Sequence, residues 1–134
     1  MSNDVVFVTG SAVGIGRAAC EYFTKPGTTV VALDIDEAAN HETRAAVEAA
    51  GGVCYAYNCD IGDKQAVKSV FTDLQGKINQ INLLLNNAAV YNDTTLTGGD
   101  WETQTTAYDV AMNSCAAGAF YCTAAAVPLL ANAG

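Results

Sequence analysis

The first residues in the chain with a spacing suited to chemistry are Thr9-Gly10-Ser11-Ala12-Val13-Gly14-Ile15-Gly16. The glycines follow a G-x-x-x-G-x-G pattern between a β-branched run, Val5 to Thr9, and a stretch from Gly14 with helical periodicity. In that setting Gly10 permits a tight turn out of a strand, and Gly14 lets the backbone approach a pyrophosphate with no Cβ in the way. Gly16 allows a helix to pack closely on the sheet. The unpaired N–H groups and positive dipole end of the helix would then face phosphate oxygens. A purely structural turn is the competing reading of the same glycines. A second candidate, Asp34, ends the run Val30-Val31-Ala32-Leu33-Asp34, roughly 20 residues beyond the glycines, where a carboxylate accepts hydrogen bonds from ribose hydroxyls. Its alternative role is that of a strand-end turn residue. With Asp34 and Asp36 together, and no base at Val13 or Ile35, a 2′-phosphate would meet repulsion, so the pattern favours NAD over NADP.

Four short apolar or β-branched runs would position these groups: Val5 to Thr9, Thr29 to Asp34, Val53 to Asn58 and Ile81 to Asn86. Between them Gly14 to Phe23, Glu37 to Ala50 and Asp63 to Lys77 carry apolar residues at three- and four-residue spacing and read as helices. The clearest stripe, Val67, Val70, Phe71 and Leu74, is read as core packing. Asp63 is placed to cap its helix, and Gly27, Gly51-Gly52 and Gly62 mark the joints. Alternation of this kind predicts an α/β fold, a partial doubly wound parallel sheet of order 3-2-1-4 with helices on both faces. After Lys77 no Lys or Arg occurs, and Tyr108 to Leu130 is almost wholly apolar. A buried core helix and a helix forming a homo-oligomer interface are both open there. Asn92 to Asp100 is expected to be the loop before it.

Composition bounds the rest. Hydrophobic residues make up 51% of 134, enough for a globular core and too many for a disordered chain. Fourteen acids against six bases leave a net charge of −8, which argues against nucleic acid or anionic membranes as partners and for a small molecule. The five cysteines show no C-x-x-C pair or metal-like spacing, so reduced thiols in a cytoplasmic protein are expected, with no metal. Cys54, Cys59, Cys115 and Cys122 read as small buried hydrophobes. No targeting signal is visible, and no apolar run approaches the roughly 20 residues of a membrane span. His41 lies in a polar helix without an orienting partner and reads as solvated.

Taken in order, these residues resemble the short-chain dehydrogenase/reductase family, classical type, from about Val5 to Leu130. Thr9 to Gly16 is similar to its T-G-x-x-x-G-I-G motif. Asp60-Ile61 resembles its D-[VIL] pair, which flanks the adenine, and Asn86-Asn87-Ala88-Ala89 resembles N-N-A-G with Ala89 in place of Gly. The resemblance implies hydride transfer between a nicotinamide and an alcohol or carbonyl carbon. It assigns cofactor contacts to Gly10, Ser11, Val13, Gly14, Ile15, Gly16, Asp34, Ile35, Asp60, Ile61, Asn87, Ala88 and Ala89. It also implies a Tyr-x-x-x-Lys pair, a Ser and a helix Asn. The positions four after Tyr22, Tyr55, Tyr57, Tyr91, Tyr108 and Tyr121 are Pro26, Cys59, Ile61, Thr95, Met112 and Ala125, none of them lysine. For the helix Asn, Asn113 is one choice. Alignment of Gly118, Phe120, Cys122-Thr123 and Pro128 with the family's N-x-x-G-x-F-x-C-T pattern puts Cys115 there instead. Two residues turn a helix by about 200°, and a capping or core role for Asn113 is the third reading.

Two functions follow as expectations. In the first, residues 1–134 are the cofactor-binding half of an NAD-dependent oxidoreductase, truncated before the catalytic Ser and Tyr-x-x-x-Lys and inactive alone. In the second, the chain is a non-catalytic dinucleotide-binding or sensor protein. Neither specifies a substrate.

Overall fold

The structure, a computed structural model, describes residues 3–91 and 97–133. Its sheet has four parallel strands in the order β3-β2-β1-β4: β1 (Val5–Thr9), β2 (Thr29–Asp34), β3 (Val53–Asn58) and β4 (Leu83–Asn86). Between and after them run α1 (Gly14–Phe23), α2 (Glu37–Ala49), α3 (Lys64–Leu74) and a long helix of three segments. These are α4 (Trp101–Ala111), a π-helical segment (Met112–Gly118) and α5 (Ala119–Leu130).

Alternation along the strands explains the two layers of helix. In β1, Val5 and Phe7 point to one face and Val6 and Val8 to the other, as the two-residue period of a strand requires. On the first face Val31 and Leu33 join them under Val67, Val70 and Leu74 of α3 and Cys122 and Ala126 of α5. Phe71 stacks on Phe7 there, ring centroids 5.1 Å apart. On the second face Val30 and Ala32 meet Cys20 of α1 and Val47 of α2. Strands buried on both sides read as unbroken apolar runs, which is why β1 and β2 carry no charge before Asp34. Asp36 accepts from Ala39 N at the start of α2, and Asp63 accepts from Gln65 N and Ala66 N at the start of α3.

Three expectations change. The fourth strand is shorter than Ile81 to Asn86: Ile81 N donates to Leu129 O of α5 rather than to a strand. The last helix begins at Trp101, capped by Asp100, so only Thr97 to Asp100 remain of the expected loop, and Asn92 to Leu96 lie outside the described residues. That helix is not a buried one. Among its described residues only Gly118, Cys122 and Ala126 are buried, while Tyr108, Val110, Met112, Phe120 and Val127 are exposed. A helix can be apolar on every side and still touch the sheet along one line. At 30 residues it is also long and apolar enough, by length and composition, to cross a membrane. Its scattered Thr, Asn, Ser and Gly interrupt any continuous apolar run without making the helix polar. Cys122 and Ala126 bind it to the core of the sheet instead.

Candidate functional site

The ends of the parallel strands carry the sequence-identified residues. Beyond β1 the chain turns at Gly10, φ +69°, where an added Cβ would lie 2.8 Å from Ala88 Cα. Gly10 N and Ser11 N both donate to Leu33 O, at 2.8 and 3.3 Å, so the loop is tied to β2. Ser11 is turned inward, its hydroxyl donating to Asn40 Oδ1 at 2.7 Å. Gly14, φ +57°, has nothing within 4 Å of the position a Cβ would take. At Gly16 a Cβ would sit 1.9 Å from Gly10 O, so α1 starts in direct contact with the loop that precedes it. No side chain caps α1: its N-cap residue is Val13. The first-turn N–H groups of a helix lack intrahelical acceptors, and here they are left for an external one. Val13 and Ile15 stand exposed beside them.

Asp34 is fixed from two sides. Its Oδ2 accepts from Ala12 N at 2.9 Å and its Oδ1 from Asp36 N at 2.9 Å. The turn role and the ligand role therefore coexist: two backbone donors orient the carboxylate, and each oxygen keeps a second lone pair. A buried polar layer beneath holds this arrangement. Asn40 Nδ2 donates to Ala32 O at 3.0 Å and to Tyr57 O at 3.4 Å, and Thr43 Oγ1 donates to Ser11 O at 2.9 Å. Both residues are buried. Sequence reading passed over them, although Asn40, Thr43 and Val47 fall at the spacing of a single helix face, where a polar residue turned toward the sheet needs a partner.

Across the switch point between β1 and β4, Thr9 Oγ1 accepts from Asn87 N at 3.1 Å and Ala88 N at 3.0 Å, and Asn87 Nδ2 donates to Gly10 O at 3.1 Å. Asn87 thus joins two strand ends, while Asn86 Nδ2 reaches Thr123 Oγ1 of α5 at 3.0 Å. A cavity of about 100 Å³ opens here, lined by Gly10, Asp34, Ile35, Ile61, Ala88 and Ala89 among the residues singled out from sequence, and by Leu33, Cys59, Val90 and Ser114, which were not. Ser11, Val13, Gly14, Ile15, Gly16, Asp60 and Asn87 lie outside its walls. Asp60 is exposed and accepts from Gly62 N at 2.9 Å.

The π-helical segment lies over this end of the sheet. Asn113 Nδ2 donates to Gly62 O at 3.1 Å, Ser114 lines the cavity, and Cys115 Sγ lies 3.8 Å from Val90 O. Asn113 and Cys115 therefore approach different loops, one after β3 and one after β4. Local widening of a helix to i→i+5 bonding is frequent at functional sites. Burial keeps the inner thiols protonated, pushing Cys59 up to about 11 and Cys122 up to about 12, whereas Cys115, expected to be a buried hydrophobe, is exposed. His41 is exposed, 3.8 Å from Glu37 on the same helix.

Comparison with known proteins gives a consistent result. A family model described as short chain dehydrogenase matches residues 4–134. A 3beta-hydroxysteroid dehydrogenase of Mediterraneibacter gnavus is 34% identical over 134 residues, covering 97% of this chain and 46% of that protein. Human epidermal retinol dehydrogenase 2 is 31% identical over 91 residues, covering 67% of this chain and 29% of that one. Among solved structures, a metagenomic short-chain oxidoreductase in complex with NADP superposes with a TM-score of 0.84 at 25% identity, covering 99% of this chain and 59% of that one. The Pseudomonas aeruginosa RhlG/NADP complex superposes at 0.86 with 21% identity, covering the whole chain and 50% of its own, a likeness of fold. The chain spans less than half the length of these curated relatives.

Proposed function

Since the chain belongs to the short-chain dehydrogenase family, we propose that it is the NAD-binding part of an oxidoreductase that moves hydride between a nicotinamide and an alcohol or carbonyl carbon. The observation that carries the reading is the junction of the glycine loop with Asp34: Ala12 N holds the carboxylate at 2.9 Å beside the uncapped start of α1. A dinucleotide needs phosphate acceptors met at a helix N-terminus and ribose hydroxyls met by a fixed acid, in that order. The residues present fit that need. The open space above Gly14 leaves room for a pyrophosphate, and the mostly apolar cavity next to Ile35 and Ile61 seats part of a planar ring.

When bound, the nicotinamide would supply the hydride acceptor or donor. The chain's own residues bind and orient the cofactor. Gly14, Ile15 and Gly16 offer N–H groups, Asp34 accepts from the ribose, Ile35, Asp60 and Ile61 flank the adenine, and Asn87, Ala88 and Ala89 line the nicotinamide-side ribose. In this reading Asn113, which braces the loop after β3 through Gly62, and Cys115, which faces Val90, are the two candidates for the position where the family carries its helix Asn. NAD is favoured over NADP because Asp34 and Asp36 stand where a 2′-phosphate would lie. The free thiols suit a reducing cytoplasm, and the exposed apolar residues Tyr108, Val110, Phe120 and Val127 suit an interface with a second copy.

A second reading, a dinucleotide-binding protein without turnover, is favoured by one observation: no tyrosine in the chain has a lysine four residues on. A phenol of pKa near 10 needs a neighbouring cation to act at neutral pH. Titration of the purified 134-residue chain with NAD and NADP, with an alcohol-dependent assay for NADH, tests both. We expect NAD binding, no turnover, and weaker NAD binding with relaxed discrimination in Asp34→Ala. Steady NADH production would overturn the assignment of this chain as the binding part alone, and an unchanged NAD/NADP ratio in Asp34→Ala would remove the acid from the ribose.

A further inference from the structure

The ribose end of the site carries charge of one sign. Asp34 ends β2, Asp36 caps α2, and Glu37 and Glu42 follow on that helix. Arg17, on α1, is the base that reaches this seam. Its Nε holds Glu21 Oε1 at 3.1 Å, and its Nη1 crosses to α2 to hold Glu42 Oε2 at 3.1 Å. Arg44, the other base on α2, runs along its own helix to Glu48 at 2.8 Å. The crossing contact is next to the loop. Thr43, the neighbour of Glu42, donates to the carbonyls of Ser11 and Ala12 at 2.9 and 3.4 Å, and Ala12 N in turn holds Asp34.

We propose that Glu42 is a specificity-determining positioning residue: by holding Arg17 across the α1–α2 seam it withholds from a coenzyme 2′-phosphate a cation carried by the helix that starts at the glycine loop. The proposal rests on the reading of this site as a dinucleotide site. Asp34 repels the phosphate directly, and Glu42 acts by keeping the guanidinium engaged, so discrimination has two separable parts. A phosphate recruiting Arg17 must first displace a carboxylate that already neutralises it. Exposed ion pairs are individually weak, so the share due to Glu42 is a factor of about two to five rather than thousands.

The experiment titrates NAD and NADP into the full chain, into Glu42→Gln, into Asp34→Ala, into the double variant, and into the double variant carrying Arg17→Ala. Glu42 is 70% exposed at its side chain, so Glu42→Gln is expected to fold, checked by circular dichroism. Glu42→Gln should leave NAD affinity unchanged and tighten NADP about two- to fivefold. The gain should be larger when Asp34 is Ala, where the phosphate has no adjacent acid, and should vanish with Arg17→Ala. An unchanged NADP affinity in Glu42→Gln, or a gain that survives loss of Arg17, overturns the proposal while leaving the dinucleotide reading intact. Absence of NAD binding by the folded parent chain overturns that reading, and the proposal with it.

Discussion

Gly14 and Gly16 stand two residues apart in one motif, yet the structure assigns them opposite sensitivities to a single methyl group. At Gly14 an alanine side chain would meet nothing within 4 Å, and the cost comes only from holding φ at +57°, about 1–2 kcal/mol for a residue with a Cβ. At Gly16 the methyl would lie 1.9 Å from Gly10 O and 2.7 Å from Asn87 Nδ2, so α1 must retreat from the strand ends. Overpacking of that kind costs about 1–3 kcal/mol. Loss of the Asn87 to Gly10 hydrogen bond adds about 1–3 kcal/mol where a half-buried group is stranded. Gly16→Ala therefore stands to lose about 2–6 kcal/mol, a large part of the 5–15 kcal/mol typical of a domain. Thermal melts and NAD titrations separate the two. Gly14→Ala should fold, with a melting temperature lower by roughly 3–10 °C. Its NAD affinity should be weaker by about ten- to a hundredfold, since a methyl at an uncapped helix start displaces a charge-assisted hydrogen bond. Gly16→Ala should melt much lower or fail to fold. A Gly16→Ala protein as stable as the parent would refute the close approach of α1 to the loop. A Gly14→Ala protein that binds NAD normally would reduce Gly14 to a turn residue.

Two further outcomes follow from buried groups. Asn40→Leu strands the Ser11 hydroxyl and two carbonyls, at about 1–3 kcal/mol for a buried group left unpaired. The denaturant midpoint should fall accordingly, and an unchanged midpoint would show that the layer under the loop does not hold it. Burial pushes the thiols of Cys20 and Cys122 up to about 12 and those of Cys54 and Cys59 up to about 11, and Cys115 is the exposed one. With the thiolate as the nucleophile, a chromogenic disulfide reagent at pH 8 should label one thiol in the native protein and five in denaturant. Rapid native labelling of two or more would contradict the described core.

Much of the architecture was legible because each strand carries its own signal. Val5–Thr9, Thr29–Asp34 and Val53–Asn58 are β-branched or apolar runs closed by turn residues, and their observed bounds coincide with those read from the sequence. The strand order is the one expected of a doubly wound sheet. Ile81 was assigned to β4 because an apolar residue beside a strand looks like strand, whereas its N–H is claimed by α5, a tertiary choice no local pattern records. Of the two readings open for the long helix, its exposure removes the buried one for a related reason: composition reports that a face is apolar, not what stands opposite it. In the site, Gly10 and Asp34 announced themselves through spacing, and Asn87 through the resemblance of Asn86-Asn87-Ala88-Ala89 to the family motif. Asn40 and Thr43 did not, since a buried polar residue in a helix is recognisable only once its partners on a distant loop are known. Asn113 and Cys115 were rivals because the N-x-x-G pattern counted back from Gly118 lands on Cys115, and in the π-helical segment both side chains reach strand-end loops.

The Thr9 hydroxyl, bonded to the N–H groups of Asn87 and Ala88 from 78 and 79 positions away, has a consequence in time as well as space. Parallel pairing of β1 with β4 closes a loop of that length, and long-range closure of this type is slow compared with helix formation. On a ribosome the glycine loop would be synthesised early and remain unfinished until the segment through Ala88 had emerged. The ability to bind a dinucleotide would then wait for β4 to pair with β1, so ligand binding during refolding would report completion of that pairing. A ligand present at that stage would favour the completed form by mass action.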